Sequence, residues 1–163
     1  MINITSIQTH QIEDAKYVIS AVAQRIFVPD KTVQDFYDVL EEEHELHDVD
    51  NFQREYVENR GLFLVVMDDE KLVGTGAIKR LEENIAELKR LWLLEEYHGQ
   101  RIGYQVVSQL LDFARAHGYE KVRLQTSQKQ ERAVRFYTRL GFYEIPSYRE
   151  SMDDISMEVS LGT

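Results

Sequence analysis

Apolar residues recur with two different periods along the chain, and the switches between them mark out its elements. From Ile12, the residues Ala15, Val18, Ile19, Val22 and Ile26 keep to one side of a 3.6-residue period, which predicts an amphipathic helix. Asn3 to Thr9 ahead of it reads as a short strand. Pro29-Asp30 ends the helix, and Asp30 is placed to cap the next one, whose inner stripe is Val33, Phe36, Tyr37 and Leu40. That helix runs out in the charged stretch EEEHELHDVD, and Phe52, Tyr56 and Val57 predict another short helix before Gly61. Residues 62–67 (LFLVVM), 72–81 (LVGTGAIKRL) and 85–94 (IAELKRLWLL) are rich in strand formers, and the short polar links between them predict an antiparallel meander. Gly74 and Gly76 within it mark a bulge or a close approach by another element.

The helical period then returns. Ile102, Val106, Leu110 and Ala114, flanked by Val107, Leu111 and Phe113, predict a long helix with a broad buried face, stopped by Gly118. KVRLQT (121–126) alternates as a strand. Ser127 and Gln130 have the spacing of a capping box, opening a helix with Ala133, Phe136, Tyr137 and Leu140 inside and Gly141 at its end. Phe142 to Ile145 is a strand. Ile155, Met157, Val159 and Leu161 alternate with Ser156, Glu158 and Ser160 as a last, half-buried one. Helices covering a mixed sheet make an α/β (α+β) layered domain. No linker or repeat interrupts the 163 residues, so one domain over 1–163 is expected.

Composition narrows the chemistry. There is no cysteine, which removes disulfides, thiolate metal sites and a thiol nucleophile and fits a reducing, cytoplasmic setting. MINITSIQTHQ has no basic stretch leading into an apolar core, so a signal peptide is not expected, and no apolar run approaches membrane-spanning length. Lysine and arginine total 19 against 29 acidic residues, a net charge of −10. That balance disfavours nucleic acid and anionic membranes and favours a cationic acceptor or simple solubility.

Gly99 and Gly103 stand where a loop feeds the long helix. Helix N-termini carry unpartnered N–H groups and partial positive charge, and glycines there let the backbone curl around an anion. Gly99-Gln100-Arg101-Ile102-Gly103 is thus a candidate phosphate cradle with Arg101 at its rim, although an ordinary strand-to-helix turn has the same pattern. The run lacks the Lys-Ser/Thr ending of a triphosphate loop and is not G-x-G-x-x-G.

The stretch ELKRLWLLEEYHGQRIGYQVVSQLLDFARAHG, with ERAVRFYTRLGF downstream, resembles the GCN5-related N-acetyltransferase (GNAT) family. One family signature, R/Q-x-x-G-x-G/A, opens the helix after the fourth strand. The other, N-x-x-A-x-x-x-Y-x-x-x-G-F, matches Gln130, Ala133, Tyr137, Gly141 and Phe142. His98, Arg101 and Gln130 replace the usual arginine or glutamine, glycine and asparagine, and Glu95 stands where proline is common. The resemblance is densest over 85–145. It implies a mostly antiparallel sheet of six or seven strands with helices on both faces.

The resemblance also implies acetyl-CoA as acyl donor, no metal, and a primary amine of a small molecule or peptide as acceptor, with a homodimer left open. Leu91, Trp92 and Leu93 would pair with the pantetheine arm, the Leu93 N–H facing the acetyl oxygen. His98, Gly99, Gln100, Arg101, Ile102, Gly103 and Tyr104 would hold the diphosphate, and Gln130 would offer its amide to the arm. Tyr137 matches the acid that protonates the leaving thiolate, with Tyr143 and Tyr104 as weaker alternatives. Glu87 is the leading base or water-positioner, ahead of Glu83, Glu95 and His98. Arg132, Arg135 and Arg139 read mainly as a solvated helix face, with contact to the phosphates as the alternative. The run Glu41, Glu42, Glu43, His44, Glu45, His47, Asp48 and Asp50 reads as a solvated helix end or an acidic rim for a cationic acceptor rather than a metal site. A non-catalytic acyl-CoA-binding module and a cofactor-free domain are the competing readings.

Overall fold

In the computed structural model, which describes residues 1–162, β1 (Ile2–Ser6) is followed by α1 (Ile12–Phe27), α2 (Val33–Glu42) and the single turns α3 (His47–Asp50) and α4 (Phe52–Glu55). The meander is β2 (Leu62–Asp68), β3 (Lys71–Glu82) and β4 (Ile85–Leu93). Then come α5 (Ile102–Ala116), β5 (Lys121–Thr126), α6 (Glu131–Arg139), β6 (Tyr143–Ile145) and β7 (Ile155–Ser160). The strands form one seven-stranded sheet in the order β1-β2-β3-β4-β5-β7-β6, antiparallel except between β4 and β5. That parallel pair exists because α5 carries the chain back across the sheet before β5 begins.

Alternation along the strands splits the core into two layers. On one face Ile78, Ala86, Leu88, Val122, Leu124 and Met157 pack under α5 and α6 through Val106, Leu110, Ala114 and Tyr137. On the other, Phe63, Val65 and Ala77 pack under α1, α3 and α4 through Ala15, Ile19, Val49 and Phe52. Gly76 lies where α5 crosses the sheet. A Cβ there would sit 2.5 Å from Val106 Cγ1, so the expected close approach is to a helix. Bulges also occur beside both glycines, in the β2–β3 and β3–β4 pairings.

Four local expectations are corrected. α2 is capped by Thr32, whose hydroxyl accepts from the Asp35 N–H at 3.1 Å, while Asp30 lies in the preceding turn. The Ser127–Gln130 capping box does not form. Gln130 is the N-cap without a side-chain bond, and Ser127 Oγ accepts instead from the Lys129 N–H at 3.2 Å. The charged run after α2 is not simply solvated: Leu46 and Val49 are fully buried, and Asp48 between them is tied into the fold. The first strand also stops earlier than expected, at Ser6, and residues Thr9–Gln11 form a 3-10 turn.

Candidate active site

β4 and β5 pair at only three positions, Ile85 with Lys121, Ala86 with Val122 and Glu87 with Arg123. Beyond Glu87 both strands continue, β4 to Leu93 and β5 to Thr126, without pairing to each other. Two strand edges facing one another across a gap inside a sheet leave backbone donors and acceptors for a ligand to satisfy. The gap therefore has the form of a slot for an extended, amide-bearing chain.

A bulge in β4 shapes the slot. Between Thr75–Trp92 and Ala77–Lys89, two steps on β3 oppose three on β4. Arg90 takes the extra place with φ of 57°. The face that each side chain occupies changes parity there. Ala86 and Leu88 face α5 before the bulge, and Leu91 and Leu93 face it afterwards. The Arg90 conformation is held from both ends. Its carbonyl accepts the Thr75 hydroxyl at 2.7 Å, and its guanidinium binds Asp48 through Nε at 3.0 Å and Nη2 at 2.6 Å. Tyr56 donates to the same carboxylate at 2.5 Å. Burial opposes ionisation of Asp48, but the bonds from Arg90 and Tyr56 outweigh it and hold the carboxyl below its usual range.

At the open end of β4 the loop turns into α5. Among the described residues, the backbone N–H groups of residues 99 to 104 donate to no carbonyl, and the first such bond runs from Gln105 N–H to the Arg101 oxygen at 3.1 Å. Gly99 has φ of 85°, and Arg101, the N-cap, is left-handed at φ 63° and ψ 17°. A non-glycine residue in that region carries strain of about 1 kcal/mol, and alternating handedness turns successive N–H groups inward as an anion nest. The Arg101 guanidinium lies 4.8 Å from the Tyr104 ring centroid. A Cβ on Gly103 would meet nothing nearer than Phe136 of α6 at 3.6 Å, so the protein's own packing does not demand glycine there. His98 differs from its neighbours. Its N–H is committed to the Glu95 carbonyl at 3.0 Å, and its Nε2 contacts the Leu93 carbonyl at 3.0 Å. The carbonyl partner makes Nε2 the donor, and the buried Nδ1 has no partner. His98 thus braces the end of β4 and has no donor left over for the cradle.

Tyr137 belongs to the α5-side core, while Glu87, at the last paired position before the slot opens, points to the other face of the sheet. Tyr137 is 6% exposed and packed between Phe136 and Phe142, with both ring centroids 5.5 Å away. Burial alone pushes its phenol well above the usual range, so it stays protonated. Glu87, 2% exposed, is not the solvent-facing carboxylate of a surface strand. Arg149 grips it at 2.8 and 3.0 Å, and the Tyr148 hydroxyl donates at 2.7 Å. Both come from the segment between β6 and β7, which is pinned to β5 by the Gln125 amide donating to the Arg149 carbonyl at 2.9 Å.

The other candidates lie less centrally. Glu95 pairs with Arg25, and Glu83 sits exposed in the β3–β4 turn beside Arg80. Tyr104 and Tyr143 are 42% and 46% exposed, and Tyr143 donates to Glu158 at 2.7 Å. Gln130 is half-buried at the start of α6, while Arg132, Arg135 and Arg139 are exposed on its outer side. In the acidic run, Glu41 and Asp50 pair with Lys16 and Asp48 with Arg90. Three of the six carboxylates of that run are thereby paired within the fold, sharing two cations. Among the described residues no cluster of three or more His, Asp or Glu side chains is placed to hold a metal. Among the described residues no helix is long and apolar enough to cross a membrane. Sequence reasoning did not find Lys89, Arg90, Tyr148 or Arg149. The last two lie in a segment with no periodicity, and only folding brings them to β4.

The splayed sheet and the free N–H row at the start of α5 are the form of an acyltransferase-type scaffold. The family model for "Acetyltransferase (GNAT) family" matches residues 27–142, and the chain belongs to that family. Among curated relatives, N-acetyltransferase 8B of Rattus norvegicus is 33% identical over 111 residues, covering 64% of this chain and 50% of the relative. The probable N-acetyltransferase camello of Xenopus laevis is 37% identical over 82 residues, covering 49% and 37%. The chain thus spans about half the length, or less, of these relatives. The fold is shared over nearly the whole chain with a GNAT-family acetyltransferase of Staphylococcus aureus Mu50, with TM-score 0.84, 21% identity and 99% coverage of both chains. PaiA N-acetyltransferase of Thermoplasma acidophilum, solved in complex with coenzyme A, superposes with TM-score 0.82 at 22% identity, covering 98% of this chain and 99% of that one.

Proposed function

We propose that the protein transfers an acetyl group from acetyl-CoA to a primary amine by direct attack. The observation that carries this is the row of free N–H groups over residues 99 to 104 at the mouth of the β4–β5 slot. A diphosphate fits the nest, backed by the positive end of α5, and Arg101 adds charge. The family relationship and the coenzyme A bound in the Thermoplasma relative support that ligand. The pantetheine arm would then lie in the slot, its amides pairing with the free edge of β4 at Leu91, Trp92 and Leu93. The Leu93 N–H would face the oxygen that gains charge as the tetrahedral intermediate forms.

The amine approaches from the face opposite α5. Glu87 has lone pairs beyond those used by Arg149 and Tyr148, and they accept from a water that takes the ammonium proton. The amine nitrogen bonds to the acetyl carbon, the carbon–sulfur bond breaks, Tyr137 gives its proton to the departing thiolate, and the proton that the attacking nitrogen sheds returns through solvent to Tyr137. Tyr137 reaches the reaction protonated because its buried site disfavours the phenolate.

Titration calorimetry with CoA, followed by thiol release from acetyl-CoA over an amine panel, tests the reading. Micromolar binding and amine-dependent release support it, and no binding at millimolar CoA overturns it. Gly103→Ala gives a sharper check. A methyl at this helical position raises stability by a few tenths of a kcal/mol through propensity. It also intrudes where a phosphate must approach the backbone, so CoA affinity falls about tenfold. Melting temperature and affinity should move in opposite directions.

A further inference from the structure

Lys89 is a half-buried cation with no ion-pair partner among the described residues, on the face from which the acceptor enters. It lies two residues past Glu87, just where β4 parts from β5. The carboxylates acting on it are Glu87, Asp48 and Asp153. Each is accounted for elsewhere or too far away. Glu87 is gripped by Arg149, Asp48 by Arg90, and Asp153 lies beyond ion-pair distance. Lys79, on the neighbouring strand opposite Glu87, adds a second positive charge, with its Nζ 5.5 Å from the Tyr56 ring. Lys89 is therefore within electrostatic reach of Asp48 on α3 and Asp153 in the β6–β7 segment, but among the described residues no carboxylate closes on it as an ion pair.

We propose that Lys89 receives a carboxylate of the acceptor, so that the acceptor is an amino-acid-type zwitterion whose amine lies close to its own anionic group. This rests on the transferase reading above and specifies its second substrate. Strand residues advance about 3.3 Å each, so Lys89 is within one small molecule's length of Leu91–Leu93. The Lys89 ammonium is disfavoured by burial, and a bound carboxylate offsets that cost. The overall charge of −10 does not oppose this class, because a zwitterion has no net charge to be repelled. A polyamine, in contrast, would meet Lys79 and Lys89 at the entrance to the slot.

The test compares matched acceptors, amino acids against their carboxamides, in wild type, Lys89→Met and Lys89→Arg. Wild type should turn over the acid with kcat/KM about tenfold or more above the amide, as for a charge-assisted bond. Lys89→Met should erase the preference by raising KM for the acid alone, leaving CoA affinity and turnover of the amide unchanged. Lys89→Arg should recover part of it. Calorimetry with CoA reads the transferase proposal separately, and its failure overturns both. CoA binding with acid and amide used equally, or with neither used, overturns the acceptor assignment alone. An equal loss for both acceptors in Lys89→Met also overturns it, since that is what a purely structural lysine would show.

Discussion

Tyr137→Phe is expected to lower kcat by roughly 10²- to 10³-fold while KM for acetyl-CoA stays nearly unchanged. The aromatic body of Tyr137 packs against Phe136 and Phe142 in the α5-side core, and phenylalanine keeps that packing. The hydroxyl has no hydrogen-bond partner among the described residues, so its removal leaves no protein group unsatisfied and the melting temperature should hold. On the proposed mechanism, what is lost is the proton for the departing thiolate. Steady-state kinetics with calorimetry for CoA measures both quantities. A variant that binds CoA normally and turns over at the wild-type rate would remove Tyr137 from the chemistry. The pH dependence adds a second check. Burial raises the folded-state pKa of Tyr137, so its protonated form persists further into alkali than an exposed tyrosine's. The rate should show no alkaline limb from this group below about pH 10.

Asp48→Ala is expected to destabilise the fold by about 2–4 kcal/mol, a fall in melting temperature of roughly 5–12 °C. The side chains of Asp48 and Arg90 are only 16% and 18% exposed, so removing the carboxylate strands a largely buried guanidinium. Arg90 also sits at the bulge in left-handed backbone, and its loss of anchorage should loosen the β4 edge that lines the slot. Adding Arg90→Met should recover part of the stability, because no charge is then left unpaired. The same pair predicts acid sensitivity. The folded-state pKa of Asp48 is depressed, so its contribution is complete above the unfolded value near ~3.9 and is lost as pH falls through the lower folded value. Melting followed from pH 6 downward should show wild type losing stability faster than Asp48→Asn below about pH 4.

Much of this site was legible before folding was considered. The α5 helix and its preceding glycine were marked by periodicity and composition, because a helix start has a local chemistry. Tyr137 was placed on the inner stripe of α6 by the same logic. Local reasoning failed where neighbours compete for one role. Asp30 and Thr32 both suit an N-cap, and the path of the chain chose Thr32. Ser127 and Gln130 had the spacing of a capping box, yet Ser127 closes a tighter turn on Lys129. His98 looked like part of the cradle, but its imidazole turns back to Leu93.

Strand and helix identities, the two-layer core and the glycine-flanked helix start follow from patterns within a few residues of one another, so the amino-acid sequence determines them directly. The slot, its bulge and the charges around it do not. Their partners are distant in the chain: Arg90 and Asp48 are 42 residues apart, and Arg149 and Glu87 are 62. Whether a carboxylate is a free base, and whether a lysine is left without a counterion, depends on which distant groups the closed sheet brings alongside. That is a property of three-dimensional proximity, and only the tertiary structure decided it.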